Sequence, residues 1–163
     1  MIGSRSAKPK VILSLALLKE LCNRVGYYRT VVKKSIERYR SFVDRYRNIV
    51  PDRVKGIERE MKNLEVLDKH LERVQALLEG CIVRIETLLT VDDVRGALEI
   101  VRSLVKELRK SVVYHNPSMS IIVDRIDRIS KELLSELRFE TTPSSGIHAT
   151  KGGREVLEEA KRL

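Results

Sequence analysis

The chain has 163 residues, of which 32 are Lys or Arg and 23 are Asp or Glu, and its formal net charge is +9. Hydrophobic residues make up 42% of it and aromatic residues 4%. That apolar fraction is too high for a disordered chain, and the length suits one domain. Eight glycines and four prolines provide few turns, which argues against an all-β sandwich or barrel.

The two cysteines and the N-terminus bear on the compartment. Cys22 and Cys81 have no metal-site spacing and form no disulfide framework, so we expect a reduced, cytoplasmic interior. A basic start followed by the apolar run 11–18 resembles a signal peptide, but Lys19 and Glu20 interrupt that run and no cleavage site follows. We therefore expect an amphipathic or buried helix there, resting on a bilayer, on the domain or on a neighbouring subunit.

The net charge lies in the first third of the chain. Residues 1–50 hold 12 Lys and Arg against 3 Asp and Glu, which is +9, whereas residues 51–90, 91–138 and 139–163 carry −1, +1 and 0. Such asymmetry indicates a segment that meets an anionic partner. The candidate residues for binding an anionic surface are Arg24, Arg29, Lys33, Lys34, Arg38, Arg40, Arg45 and Arg47.

Aromatic residues are interleaved with these cations. Five of the seven in the chain lie here: Tyr27, Tyr28, Tyr39, Phe42 and Tyr46. Anionic lipid headgroups and nucleic acid both suit a surface that mixes cations with rings. Alternatively the aromatic residues belong to the core, because apolar residues at 32, 36, 39, 43, 46 and 50 have the spacing of a helix seam. Packing of that kind would still leave the cations on the other faces unexplained.

Two long helices are predicted first. One covers residues 11–48, with a break allowed at Gly26, and Pro51 ends it. The other covers residues 53–89 and would be about 55 Å long. Its apolar residues recur every seven positions, a pattern typical of a coiled coil or a long hairpin. This candidate hairpin seam and self-assembly surface consists of Ile57, Leu64, Leu71, Leu78 and Ile85, with a second series at Leu67, Val74, Cys81 and Leu88.

A short break with Thr90 or Asp92 as the cap leads to a third helix over residues 93–115. So short a connection forces an antiparallel hairpin. Asn116 and Pro117 then begin a further helix, which packs separately or continues the second arm after a kink. Its apolar face is Met119, Ile122, Ile126, Ile129 and Leu133.

The C-terminal part is predicted to be a flexible linker over residues 139–153 and a short amphipathic helix over residues 154–163. That helix either docks a partner through Leu157 and Leu163 or folds back on the helical domain, residues 1–138. The predicted fold is therefore all-α: an elongated antiparallel hairpin or coiled-coil bundle with an extra basic N-terminal helix.

No pattern in the sequence indicates catalysis. The three histidines have no partner motif, and no Glu lies three residues before any of them, as a di-iron bundle would need. A phosphate loop, a nucleophile elbow and a zinc-type cluster are also missing from the sequence. We therefore expect no enzyme activity, no cofactor, and no catalytic or metal-binding residues.

The hairpin has a recognisable order of segments. The long helix ends in Arg-Ile-Glu-Thr-Leu-Leu at 84–89, an acidic Val-Asp-Asp tip follows at 91–93, and the second arm begins with Arg-Gly-Ala-Leu-Glu-Ile-Val at 95–101. The next helix carries the apolar and Arg pattern Ile-Val-Asp-Arg-Ile-Asp-Arg-Ile at 122–129. Over residues 52–138 this resembles the helical hairpin core of the ESCRT-III family, particularly its archaeal cell-division members.

The resemblance implies a protein that polymerises with itself or with related subunits on the inner face of a membrane, in membrane remodelling or cell division. It further implies that the basic N-terminal surface meets anionic lipid, and that the C-terminal region masks the core or recruits an AAA ATPase. Two other functions stay open. The basic segment would equally suit a nucleic-acid-binding helical protein, although no clear helix-turn-helix is present, or a coiled-coil subunit that docks an acidic protein.

Overall fold

The computed structural model describes residues 2–140 and residue 162, and its elements are all helical. They are α1 (Ile2–Tyr46), α2 (Pro51–Thr90), α3 (Val94–Lys110), a 3₁₀ turn (Val112–His115) and α4 (Pro117–Glu140). The predicted all-α hairpin bundle is confirmed. Most of the predicted linker and C-terminal helix, including Leu157 and Leu163, lies outside the described residues.

Helix α1 is longer than predicted and unbroken. It begins at Ile2 rather than at residue 11, and Ala7 and Val11 are already fully buried in the core. Their burial explains the early start, because packing of an apolar face stabilises a helix more than propensity does. The helix passes through Gly26 without a break. A Cβ there would lie 3.1 Å from Nε2 of Gln75, so glycine leaves room for that side chain of α2.

Helices α1 and α2 form an antiparallel hairpin along their length. The Lys19 ammonium lies 2.7 Å from the Glu86 carboxylate near one end, and the Arg47 guanidinium lies 3.4 Å from Glu58 near the other. With 45 residues, α1 is about 68 Å long. The N-terminal helix was predicted to be additional to the hairpin. It is instead one of the two long helices that form the hairpin, and the heptad seam of α2 faces it.

The connection between α2 and α3 differs from the prediction in its cap. Asp93, not Thr90 or Asp92, caps α3: its Oδ1 accepts a hydrogen bond from the Gly96 backbone N–H at 2.9 Å. Asp92 takes a left-handed conformation with φ of 58°, which turns the chain and leaves Asp93 beside the first turn of α3. A Cβ at Gly96 would lie 2.5 Å from Asp93 Oδ2, so a larger residue there would displace the Asp93 carboxylate from its present position.

The third helix ends earlier than predicted, at Lys110, and the 3₁₀ turn follows it. Asn116 then caps α4, its Oδ1 accepting from the Ser118 backbone N–H at 3.0 Å. Helix α4 runs back antiparallel to α3, and Arg102 of α3 contacts Asp127 of α4 at 2.5 Å. Of the two predicted alternatives, α4 is the separately packed helix and not a continuation of the second arm.

The molecule has two regions. Helices α3 and α4 have 17 and 24 residues and are about 26 and 36 Å long, so they cover only part of the α1–α2 hairpin. Lys10 pairs with Glu136, which puts the end of α4 beside the start of α1. We call residues 2–29 and 71–140, where four helices pack up-down-up-down, the head, and the two-helix part, residues 30–70, the arm.

The two regions differ in their cores. The fully buried large side chains are all in the head: Val11, Leu18, Leu21, Leu71, Leu78, Ile85, Ile100, Leu104, Leu108, Met119, Ile126 and Leu133. The buried residues of the arm form one narrow seam: Val32, Ile36, Val43 and Val54. The head therefore provides most of the buried apolar area, and the arm leaves most of its side chains in solvent.

Candidate functional site

A row of glutamates on α2 determines which basic residues of α1 are paired. Glutamate recurs every seven residues on the side of α2 that faces α1: Glu58, Glu65, Glu72, Glu79 and Glu86. The α1 residues that face this row also recur every seven positions: Arg47, Arg40, Lys33, Gly26 and Lys19. In the pairs Lys19–Glu86, Arg40–Glu65 and Arg47–Glu58 the two residue numbers sum to 105, which is the antiparallel register of the hairpin.

Several of the predicted anion-binding residues belong to such ion pairs. Arg47 pairs with Glu58 at 3.4 Å, and Arg40 approaches Glu65 at 3.7 Å. A third cation, Arg24, pairs within α1 with Glu20, at 3.0 Å. The charges of these three residues are already compensated within the chain.

Arg29 is the most enclosed of the predicted anion-binding residues, with a side chain only 17% exposed. Its Nε donates to Asp68 Oδ1 at 3.0 Å and its Nη1 donates to Gln75 Oε1 at 2.9 Å. Glu72 lies 3.9 Å from the same guanidinium. Arg29 therefore joins α1 to α2 at the base of the arm and is not available to an external ligand.

The other predicted cations are exposed, and within residues 2–140 they make no ion pair: Lys33, Lys34, Arg38 and Arg45. One outer face of the arm carries Lys34, Arg38 and Arg45, which we call the α1 strip. They line an open depression together with Phe42 and Tyr46, whose half-buried rings lie 4.6 Å apart between centroids.

A second set of exposed cations lies on α2 and was not predicted. Its members share the outer face of the helix, opposite to α1, and within the described residues none of them has an ion-pair partner. This α2 strip consists of Lys55, Arg59, Lys62 and Lys69 in the arm and of Arg73, three residues beyond it at its base. A count of net charge does not reveal this strip, because residues 51–90 sum to −1. The glutamates lie on the side of α2 that faces α1, and the cations lie on the opposite side. The spacing of 4, 3, 7 and 4 residues was the available signal.

The predicted seam residues are divided between the two regions. Leu71, Leu78 and Ile85 are fully buried in the head. Ile57 and Leu64 are only half-buried, in the arm. A self-assembly contact through the seam would therefore use its arm end, because the head end is already covered within the chain.

The most enclosed polar cluster lies in the head, between α3 and α4. Asp127, with a side chain 6% exposed, accepts from Arg102 at 2.5 Å and from Arg109 at 2.9 Å, and pairs with Lys131 at 3.1 Å. Burial acts to raise the pKa of Asp127, but hydrogen bonds from Arg102 and Lys131 and nearby positive charge outweigh it, so the pKa lies below its ordinary value. The cluster holds α4 against α3.

Neither the cysteines nor the acidic residues suggest a reactive centre in the part of the chain that the structure describes. Cys81 is 2% exposed in the core, and burial raises the pKa of its thiol to about 11. Burial, followed by the charge of Glu79, raises the pKa of Cys22. Within residues 2–140 no three His, Cys, Asp or Glu side chains are grouped so that they would hold a metal ion.

Fold and site together define an all-α bundle from which a hairpin arm projects, with unpaired cations on both of its outer faces. Comparison with protein-family models, curated proteins and solved structures gives no match for the chain. None of the helices within the described residues has an apolar stretch that would span a bilayer.

Proposed function

We propose that this protein is a non-catalytic scaffold that binds an anionic membrane surface through the arm and assembles with copies of itself or with related subunits. The observation that carries the proposal is the unpaired cations of the α1 and α2 strips, which project from a region that buries little else. The resemblance to the ESCRT-III family supports the same function, in membrane remodelling or cell division, on the inner face of the membrane.

Electrostatics supports lipid binding by the strips. A Lys or Arg close to an anionic bilayer contributes about 1 kcal/mol, and the contribution falls off within a Debye length. The three cations of the α1 strip lie within about 17 Å along one helix, so one flat surface can contact all of them. Beside them Phe42 and Tyr46 add rings of the kind that favour the membrane interface.

The packing of the two rings beside the α1 strip favours lipid over nucleic acid, the alternative partner. Proteins that bind single strands stack bases on open aromatic faces. Phe42 and Tyr46 are half-buried and pack against each other at a tilt of 39° with centroids 4.6 Å apart, so they offer bases little free face. Recruitment of an AAA ATPase through Leu157 and Leu163 belongs to the same proposal and concerns residues outside the described part.

Sedimentation with vesicles that contain phosphatidylserine tests the proposal. The arm variant K34Q/R38Q/R59Q/K62Q removes two cations from each strip and leaves the paired Arg40 and Arg47 intact. At about 1 kcal/mol for each cation, binding through either face falls about 30-fold. The control K106Q/K110Q/R125Q/R128Q removes four exposed charges from the head and should bind like the parent.

The outcomes separate the candidate functions. If the arm variant pellets with vesicles as well as the parent does, lipid binding by the strips is wrong. Submicromolar binding to duplex or single-stranded DNA at near-physiological salt, without vesicle binding, would favour the nucleic-acid alternative. Binding to neither would leave the coiled-coil interaction subunit. Electron microscopy with and without vesicles tests assembly, and we expect filaments; single particles under both conditions would contradict the scaffold.

A further inference from the structure

The two basic strips lie on opposite sides of the arm. The register in which facing residue numbers sum to 105 places Lys34 at the level of Leu71 and Arg45 at the level of Glu60. The α2 strip, from Lys55 to Arg73, therefore spans the same level of the arm as the α1 strip. Each helix is about 10 Å in diameter, so the strips are separated by about 20 Å of protein.

A single flat bilayer cannot contact both strips. Each strip points away from the other helix of the hairpin, because the inner faces of α1 and α2 carry the seam of Val32, Ile36, Val43 and Val54. The outer face of α1 also stays uncovered where the head begins, since Tyr27 is 74% exposed. A bilayer that lies along one side of the hairpin therefore leaves the other strip free.

The α2 strip has the charge and the length needed to bind an anionic bilayer without the α1 strip. Its five cations extend over 18 residues, about 27 Å of helix, and no acidic residue lies within the row 55, 59, 62, 66, 69 and 73. The one remaining member of the row is Val66, which is 55% exposed and apolar. Cations around an exposed apolar side chain complement the headgroup region of an anionic bilayer.

We propose that the arm binds two anionic lipid bilayers at once, one on each strip, so that a single molecule tethers apposed membranes about 20 Å apart. The inference rests on the proposed membrane binding and adds the number and direction of the bound surfaces. Lipid is the occupant because each strip matches it in charge and in extent. The acidic row of comparable length, the glutamates of α2, is less available to a second copy, because Glu58, Glu65 and Glu86 already form ion pairs with α1 of the same chain.

Clustering of phosphatidylserine vesicles, followed by turbidity and light scattering, tests tethering separately from binding. The α1 variant K34Q/R38Q/R45Q and the α2 variant R59Q/K62Q/K69Q each lose one face and keep the other. We expect both to sediment with vesicles within about threefold of the parent and to cluster them at least tenfold less. The head variant K106Q/R125Q/R128Q, with the same loss of charge, should cluster vesicles as the parent does.

Each result has a definite meaning. A parent that binds vesicles without clustering them overturns tethering and leaves the proposed function standing. A parent that does not bind overturns both. If the α1 and α2 variants still cluster vesicles, the bridge is an oligomer in which each copy binds one bilayer, and the two-faced arm is wrong. Circular dichroism of each variant excludes loss of fold as the cause of reduced clustering.

Discussion

The head and the arm use the same two long helices but enclose them differently. In the head α3 and α4 cover the hairpin, and seam residues such as Leu78 and Ile85 are fully buried. In the arm the same heptad series continues at Ile57 and Leu64, which are only half-buried. The comparison shows that the apolar repeat determines which faces of two helices pack together. The number of surrounding helices determines how completely the apolar side chains of the repeat are buried.

The two regions also differ in how they treat charge. In the head, Asp127 is buried and bound by Arg102, Arg109 and Lys131. In the arm, glutamates of α2 form ion pairs with cations of α1, whereas the cations on the outer faces make no ion pair within the described residues. The head therefore contains a buried carboxylate whose charge is compensated by three cations, whereas the outer faces of the arm carry rows of exposed cations.

The largest expected difference is in core truncations. Leu104→Ala, on α3 in the head, removes a side chain that is 2% exposed, and it should lower the free energy of unfolding by about 2–5 kcal/mol. Leu64→Ala in the arm should cost less than half as much, because that side chain is already partly in water. Urea unfolding followed by circular dichroism measures both, and equal losses would mean that the arm is as well packed as the head.

Asp127→Asn tests the polar cluster of the head. The change keeps the shape and removes the charge that Arg102 and Arg109 share, so we expect a loss of about 2–3 kcal/mol at pH 7. The pKa of Asp127 is lowered from its ordinary 3.8, so its contribution is complete above about pH 5.

As the pH falls through the folded-state value, that contribution disappears. The stability difference between the parent and Asp127→Asn should therefore shrink below about pH 4 and stay constant from pH 5 to 8. Chemical denaturation at several pH values checks this. A difference that grew on acidification would mean that the carboxyl is protonated in the native state and that its contacts with the two arginines are not ionic.

The smallest expected losses of stability come from replacing single arginines, and they distinguish an enclosed arginine from an exposed one. Arg29→Gln leaves the enclosed Asp68 without its cation and should cost about 1–2 kcal/mol. Arg40→Gln, the matched change at an exposed pair with Glu65, should cost about 0.5 kcal/mol and lose that effect in 1 M salt. Denaturation at low and high salt measures both, and equal costs would place Arg29 among the exposed pairs.

Some features follow from local pattern. The heptad series of α2 predicted its helix, the Asn116-Pro117 pair predicted the start of α4, and the scarcity of Gly and Pro argued against an all-β fold. The all-α fold that these patterns predicted is confirmed. These features depend on neighbours within a few residues, and side-chain periodicity and capping chemistry are readable at that distance. The break allowed at Gly26 is absent, and the helix there lies close to Gln75, 49 residues away, a contact that local sequence patterns do not reveal.

The sequence by itself determined that the chain is helical, where α2 lies and that residues 1–50 carry the charge excess. Only the tertiary structure decided which charges are available. Asp68 encloses Arg29, Glu58 and Glu65 form surface ion pairs with Arg47 and Arg40, and separation of signs across α2 adds a strip where the net charge is −1. Net charge is a sum along the chain, whereas binding depends on which side of a helix each charge occupies and on what faces it.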